Sequence, residues 1–163
     1  LMSERLPLLA LTSAAALVER LLPEREPHPD TFASFTALIE VLSAGGNWLS
    51  RYVEWELGLL NQLGYGLDLT ECAATGATDD LVYVSPKTGC AVSAGAGAPY
   101  REKLFDLPPF FRVEDLDPPT DDIRTGLRVT GHFLARCAKD ADTGELPRSR
   151  ARFVDQASRN TPD

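Results

Sequence analysis

The stretch Trp48-Leu49-Ser50-Arg51-Tyr52-Val53-Glu54-Trp55-Glu56-Leu57-Gly58-Leu59-Leu60-Asn61-Gln62-Leu63 decides the fold class. Its apolar residues fall around most of a helix circumference instead of along one stripe, the pattern of a helix enclosed by others. Gly64 and Gly66 close it. Upstream, Phe32, Phe35, Leu38, Ile39 and Leu42 follow the i, i+3, i+4 spacing of a buried helical stripe, with Asp30 or Thr31 as its cap and Gly45-Gly46-Asn47 as its end. Further upstream, Thr12 and Ser13 are placed to cap a helix from Ala14 to Leu22, stopped by Pro23. Between these two helices, Pro23-Glu24-Arg25-Glu26-Pro27-His28-Pro29-Asp30 reads as a rigid non-helical connector, with His28 a surface residue.

Downstream the texture changes. Leu81-Val82-Tyr83-Val84 and Cys90-Ala91-Val92-Ser93 are short extended runs around the turn Ser85-Pro86-Lys87-Thr88-Gly89, a β-hairpin inserted between helices at about residues 72–95. Tyr100–Leu107 is expected to form a short helix before Pro108-Pro109. Asp115, Asp117, Pro118 and Pro119 make a second stiff connector. Thr120 or Asp121 then caps a long helix to about Cys137, and a last short helix is expected from Pro147 to Ser158. The fold class is therefore mainly α, one helical domain over residues 1–163 with a hairpin insert.

The chain has 163 residues, 44% of them hydrophobic and 25% charged, the composition of a folded domain with a core of its own. Leu6–Leu22 is the longest apolar region, but Pro7, Thr12, Ser13, Glu19 and Arg20 interrupt it, so no membrane span or signal peptide is expected and the protein should be cytoplasmic. With 16 Lys and Arg against 24 Asp and Glu, the net charge is −8, which argues against the whole chain wrapping nucleic acid. The charge is unevenly spread. Residues 1–120 are acidic, whereas residues 121–163 hold eight basic and seven acidic side chains.

Cys72, Cys90 and Cys137 are too few and too dispersed for a disulfide framework. Around the hairpin, Cys72 with Thr75 and Cys90 with Ser93 occupy the four positions of a zinc ribbon in which two C-x-x-C knuckles face one ion. Hydroxyls are poor zinc ligands and neither His28 nor His132 lies nearby in sequence, so the hairpin resembles a degenerate zinc ribbon, and no metal or other cofactor is expected. Two further readings stay open: Cys72 and Cys90 as small buried apolar groups, and an adventitious disulfide between them.

The run Glu56–Leu69 leading to Cys72, followed by Tyr83-Val84-Ser85-Pro86-Lys87-Thr88-Gly89-Cys90-Ala91-Val92-Ser93, resembles the C-terminal part of the RecO family of bacterial DNA repair proteins. Leu22–Pro29, Asp122-Ile123, Gly126-Leu127 and Thr130-Gly131-His132-Phe133-Leu134 fit the same family. Some members carry the full four-cysteine knuckle, which Thr75 and Ser93 remove here. The family begins with an OB-fold that supplies much of its DNA contact, and Leu1–Leu11 cannot encode one, so the chain is expected to be the helical C-terminal domain alone. The resemblance implies a non-enzymatic recombination mediator that assists single-strand annealing and, with RecR, loads RecA onto strands coated by single-stranded DNA-binding protein. The alternative is a non-catalytic interaction module unrelated to recombination.

On the long helix, Arg124, Arg128, His132 and Arg136 recur every four residues and stack along one face. Taken alone such a stripe is most often a solvated face. The family resemblance gives it a partner: the acidic, apolar-tipped tail of single-stranded DNA-binding protein, for which guanidinium groups would form a basic rim. Arg148, Arg150 and Arg152 follow. Trp48, Tyr52 and Trp55 are expected in the core and not as a base-stacking platform, and Phe110 and Phe111 beneath the helices. No nucleophile with a base and no P-loop is recognisable. Ala94-Gly95-Ala96-Gly97-Ala98 lacks the Lys-Ser/Thr of such a loop, and Glu54 and Glu56 do not share a helix face.

Overall fold

Helix α3 (Trp48–Gln62) carries the core of the computed structural model, which describes residues 2–23, 26–115 and 117–159, with side chains from residue 5. Trp48, Tyr52, Val53, Trp55, Leu59 and Leu60 are all buried, on different sides of the helix, and so are the polar Ser50 and Glu56. The aromatic expectation holds: Tyr52 packs on Phe153 at 4.5 Å between ring centroids, and Trp48 stacks on the same ring at 6.2 Å.

Around α3 lie α1 (Met2–Leu21), α2 (Pro29–Ala44), α5 (Thr120–Asp140) and α6 (Arg148–Arg159). Helix α1 starts well before the expected Ala14 and runs through Pro7. The two residues read as its cap do other work: the Thr12 hydroxyl donates back to the Leu8 carbonyl at 2.8 Å, and Ser13 is fully buried against Tyr52. Helix α2 likewise begins earlier than expected, because Pro29 opens it at a position whose missing N–H costs nothing. His28, half-buried, occupies the cap position, and the Thr31 hydroxyl donates to the Gln62 side chain instead of capping. Glu24 and Arg25 of the first connector lie outside the described residues.

The stripe on α2 is narrower than its spacing suggests. Thr31, Leu38 and Leu42 are buried and Phe35 is half-buried, but Phe32 is 75% exposed and Ile39 37% exposed. Those two stand about 100° around the helix from the buried line, and among the described residues α2 packs mainly against α3 and α1.

The hairpin is present as β1 (Leu81–Val84) and β2 (Ala91–Ser93), antiparallel, joined through Gly89 at φ 72°. The segment read as a short helix, Tyr100–Leu107, is different. After one helical turn, α4 (Ala94–Gly97), a 3-10 segment covers Ala98–Lys103 and the chain then extends into β3 (Phe105–Asp106) on the other edge of β1. The strand forms because β1 otherwise leaves one edge unpaired: Phe105 sits opposite Val84, and the Leu107 N–H donates to the Val82 carbonyl at 2.9 Å. The sheet therefore has three strands in the order β2-β1-β3. A second 3-10 turn, Pro109–Phe111, buries Phe110 under α5, with Phe111 half-buried beside it. Helix α5 starts with Pro119 at the cap position, with no side-chain cap from Thr120 or Asp121, and runs three residues past Cys137. No described helix is long and apolar enough to cross a membrane.

Candidate interaction face on α5 and the hairpin knuckle

The four-residue recurrence on α5 does place Arg124, Arg128, His132 and Arg136 along one side of the helix, but the structure gives them three different surroundings. Arg124 is half-buried at the start, where it donates to Asp121 at 3.3 Å and to the Ser158 carbonyl of α6 at 3.1 Å. Arg128, one turn on, is exposed and forms no ion pair or side-chain hydrogen bond among the described residues.

His132 and Arg136 face the hairpin turn. A backbone carbonyl can only accept, so His132 donates Nε2–H to the Pro86 carbonyl at 2.9 Å, which fixes its tautomer. Its ring also meets Phe105 of β3 at 5.3 Å and Phe133 at 5.0 Å, both edge-on. Arg136 donates to the Lys87 carbonyl at 2.9 Å, with its guanidinium 5.7 Å from the centroid of the Phe133 ring. Two helix side chains thus hold two consecutive turn carbonyls, and the sheet is tied to α5 at this point.

The knuckle positions Cys72, Thr75 and Ser93 come together. Cys72 is 1% exposed, and its Sγ accepts the Ser93 backbone N–H at 3.3 Å. The hydroxyls of Ser93 and Thr75 also bond to this sulfur. These hydrogen bonds, Ser93 first, stabilise the thiolate and bring the Cys72 thiol down to about 6. Each hydroxyl has a second use: Thr75 Oγ1 accepts from the Ala77 N–H at 3.2 Å, and Ser93 Oγ caps α4 by accepting from Ala96 at 3.4 Å. Cys90, the fourth position, is half-buried and directs its thiol to the Thr88 carbonyl at 3.8 Å. All three cysteines are free, and among the described residues no group of three His, Cys, Asp or Glu side chains is arranged to hold a metal ion. Cys137 is buried on α5, and burial pushes its thiol up to about 11.

A polar cluster escaped sequence reasoning. Arg150 is not one of a run of surface cations but is buried, where it donates Nε to Glu56 Oε2 at 2.8 Å and an Nη to Glu56 Oε1 at 3.0 Å. The Thr130 hydroxyl donates to Glu56 at 2.6 Å, and the Leu127 carbonyl accepts from Arg150 at 2.9 Å. Tyr52 donates its hydroxyl to Glu56 at 3.2 Å, so the Ser13 hydroxyl, 2.7 Å away, donates to Tyr52. Burial and then the Glu56 charge hold the Tyr52 phenol well above its ordinary range. Burial works against the Arg150 charge, but the facing carboxylate outweighs it and raises its pKa. The sequence signal was a single carboxylate, Glu56, in the middle of a helix apolar on most sides. Its partner lies 94 residues away.

The family model described as "Recombination protein O C terminal" matches residues 2–140. The DNA repair protein RecO of Caulobacter vibrioides (strain NA1000 / CB15N) is 48% identical over 156 residues, covering 96% of this chain and 64% of its own length. That of Rhodospirillum centenum is 49% identical over 158 residues, covering 96% and 62%, and that of Beijerinckia indica subsp. indica 43% over 164 residues, covering 99% and 65%. The chain therefore spans less than two thirds of the length of these relatives. No solved structure matches it.

Proposed function

Because the chain belongs to the family described as Recombination protein O C terminal, we propose that it is the helical part of a DNA repair and recombination mediator. Its role is non-catalytic: assisting the annealing of complementary single strands and, with RecR, the loading of RecA onto strands coated by single-stranded DNA-binding protein, in the cytoplasm at the nucleoid. The carrying observation is the continuous family match over residues 2–140, joined by relatives named as DNA repair proteins at close to half identity.

Within that role the helical part contacts proteins. A net charge of −8 disfavours phosphate binding by the chain as a whole, so the main single-strand contacts fall to the OB-fold in the part of the family's length that this chain does not span. The face of α5 centred on Arg128 takes the acidic, apolar-tipped tail of single-stranded DNA-binding protein. Support comes from the exposure of Arg128, which forms no ion pair among the described residues and lies one helical turn before His132. The knuckle at Cys72, Thr75, Cys90 and Ser93 works without metal, its hydroxyls serving the Cys72 sulfur.

The test is the binding of a fluorescent tail peptide at low salt, together with strand annealing by a longer chain carrying the N-terminal barrel. Reversing Arg124 and Arg128 to Glu is expected to weaken the peptide by about tenfold or more. Unchanged affinity overturns the tail assignment, and a longer chain that neither binds single strands nor associates with RecR overturns the repair role. Stoichiometric zinc in the purified protein would overturn the metal-free knuckle.

A further inference from the structure

The end of α1 and the start of α2 leave an open groove of about 350 Å³ between them. Val18 of α1 and Leu22 just after it line one side, and Phe32 and Phe35 of α2 line the other. The members of each pair stand four and three residues apart, so each pair shares one helix face. Leu22 keeps that register because its N–H still donates to the Val18 carbonyl at 3.1 Å. Phe32 is 75% exposed and the other three are half-buried, which makes the groove a continuous uncovered apolar surface and not a single stray side chain.

The connector between the two helices holds this shape. The His28 Nε2–H donates to the Pro23 carbonyl at 3.2 Å, drawing the two ends of the connector together, and Pro23, Pro27 and Pro29 fix their own φ. The groove is thus formed before a ligand arrives, which spares the ligand the cost of ordering it. Its charge has one sign. Glu19 and Glu26 both line it, exposed and without an ion pair or side-chain hydrogen bond among the described residues. No Lys or Arg among the described residues lines it, and Arg20, next to Glu19 in sequence, is committed to the Glu145 carbonyl at 2.7 Å.

We propose that this groove docks a short segment of a partner protein that carries a bulky aliphatic side chain flanked by Lys or Arg. The aliphatic side chain covers Phe32 and packs between the two helices, and the cations meet Glu19 and Glu26. Charge complementarity selects this occupant. A second copy of the chain would set a net charge of −8 against another −8, and nucleic acid or anionic lipid would bring phosphates to two free carboxylates. None of Arg124, Arg128, His132 and Arg136 lines the groove, so it is independent of the α5 face and takes a partner of opposite charge.

The experiment is fluorescence anisotropy at low salt with a short labelled peptide in which a central pair of leucines is flanked on both sides by arginines, beside a counterpart with glutamates in place of the arginines. The basic peptide is expected to bind and the acidic one not. Phe32→Ala should weaken the basic peptide by about tenfold, and Glu19→Lys with Glu26→Lys by about tenfold as well. Reversing Glu71 and Glu102, exposed carboxylates outside the groove, changes the net charge equally and should have much less effect. All of these side chains are exposed, so far-UV circular dichroism and the thermal melt should remain those of the parent. Absence of binding, equal affinity for the Phe32→Ala variant, or equal loss on reversal at either pair of carboxylates would overturn the groove as the docking site. Sedimentation tests the remaining occupant: a concentration-dependent dimer that Phe32→Ala abolishes would place a second copy there and overturn the proposal.

Discussion

Arg150 of α6 closes both of its inner donors on the carboxylate of Glu56 in α3, at 2.8 and 3.0 Å, in a place where Glu56 has no exposed surface. The pair joins the last helix to the central one, and Thr130, Tyr52 and Ser13 add α5 and α1 to the same cluster. Every oxygen of the carboxylate is served, which is the condition under which a buried ion pair is tolerated.

Removing one partner should therefore be far worse than removing both. Arg150→Met is expected to destabilise the fold by about 3–5 kcal/mol, because it leaves Glu56 charged and buried without a counter-ion. The double variant Glu56→Leu with Arg150→Met should recover most of that loss. Urea denaturation of the two variants checks the difference, and equal destabilisation would show that the pair is not energetically coupled.

Gly131 makes a sharper steric test of the same cluster. A Cβ at this position would stand 2.8 Å from an Arg150 nitrogen, and the guanidinium cannot move without leaving Glu56. Gly131→Ala is expected to lower stability by about 1–3 kcal/mol despite the helix propensity gained. Gly58→Ala on α3, where nothing lies within 4 Å, should instead raise stability by about 0.5–1 kcal/mol. The opposite signs can be read from thermal melts.

The clamp on the hairpin turn predicts local rather than global effects. Arg136→Ala and His132→Ala each remove one contact to a turn carbonyl, so amide exchange at Ser85 and Gly89 should accelerate by about fivefold, with little change in α3. Uniform acceleration across the chain would mean that the residues act on global stability instead.

Cys72 gives a pH signature. Its thiol is lowered from 9.0 to about 6 by the hydroxyls of Ser93 and Thr75, so its contribution to stability is present above pH 9 and is lost as pH falls from 9 through 6. Thiolate absorbance near 240 nm should persist at pH 7 and fall through its midpoint near pH 6, and Ser93→Ala should move that midpoint upward. Since Cys72 is buried, alkylation should stay slow even where the thiolate is formed.

What could be read in the sequence depended on how local each signal was. The central helix, the β1–β2 hairpin and the recurrence on α5 are encoded in contiguous periodicity or turn residues, and they stand where that periodicity puts them. Strand β3 could not be found in this way: Phe105-Asp106 carries too short a pattern, and it extends only because the edge of β1 is available. The start of α1 was obscured by Thr12 and Ser13, residue types that cap helices as readily as they donate within them. Arg150 looked like its neighbours Arg148 and Arg152, which are both exposed. Only the distant Glu56 marks it as internal, and no local spacing links the two.

The position of α6 also bears on where this folding unit ends. The match to the family stops at residue 140, yet α6 begins at Arg148, packs along α1, and inserts Phe153 against Tyr52 and Trp48. A version trimmed at the end of the family-model match would lose the counter-ion of Glu56 and uncover one side of α1 at once. The boundary drawn by the family model and the boundary drawn by cooperativity are different lines, and here the second lies at least one helix beyond the first.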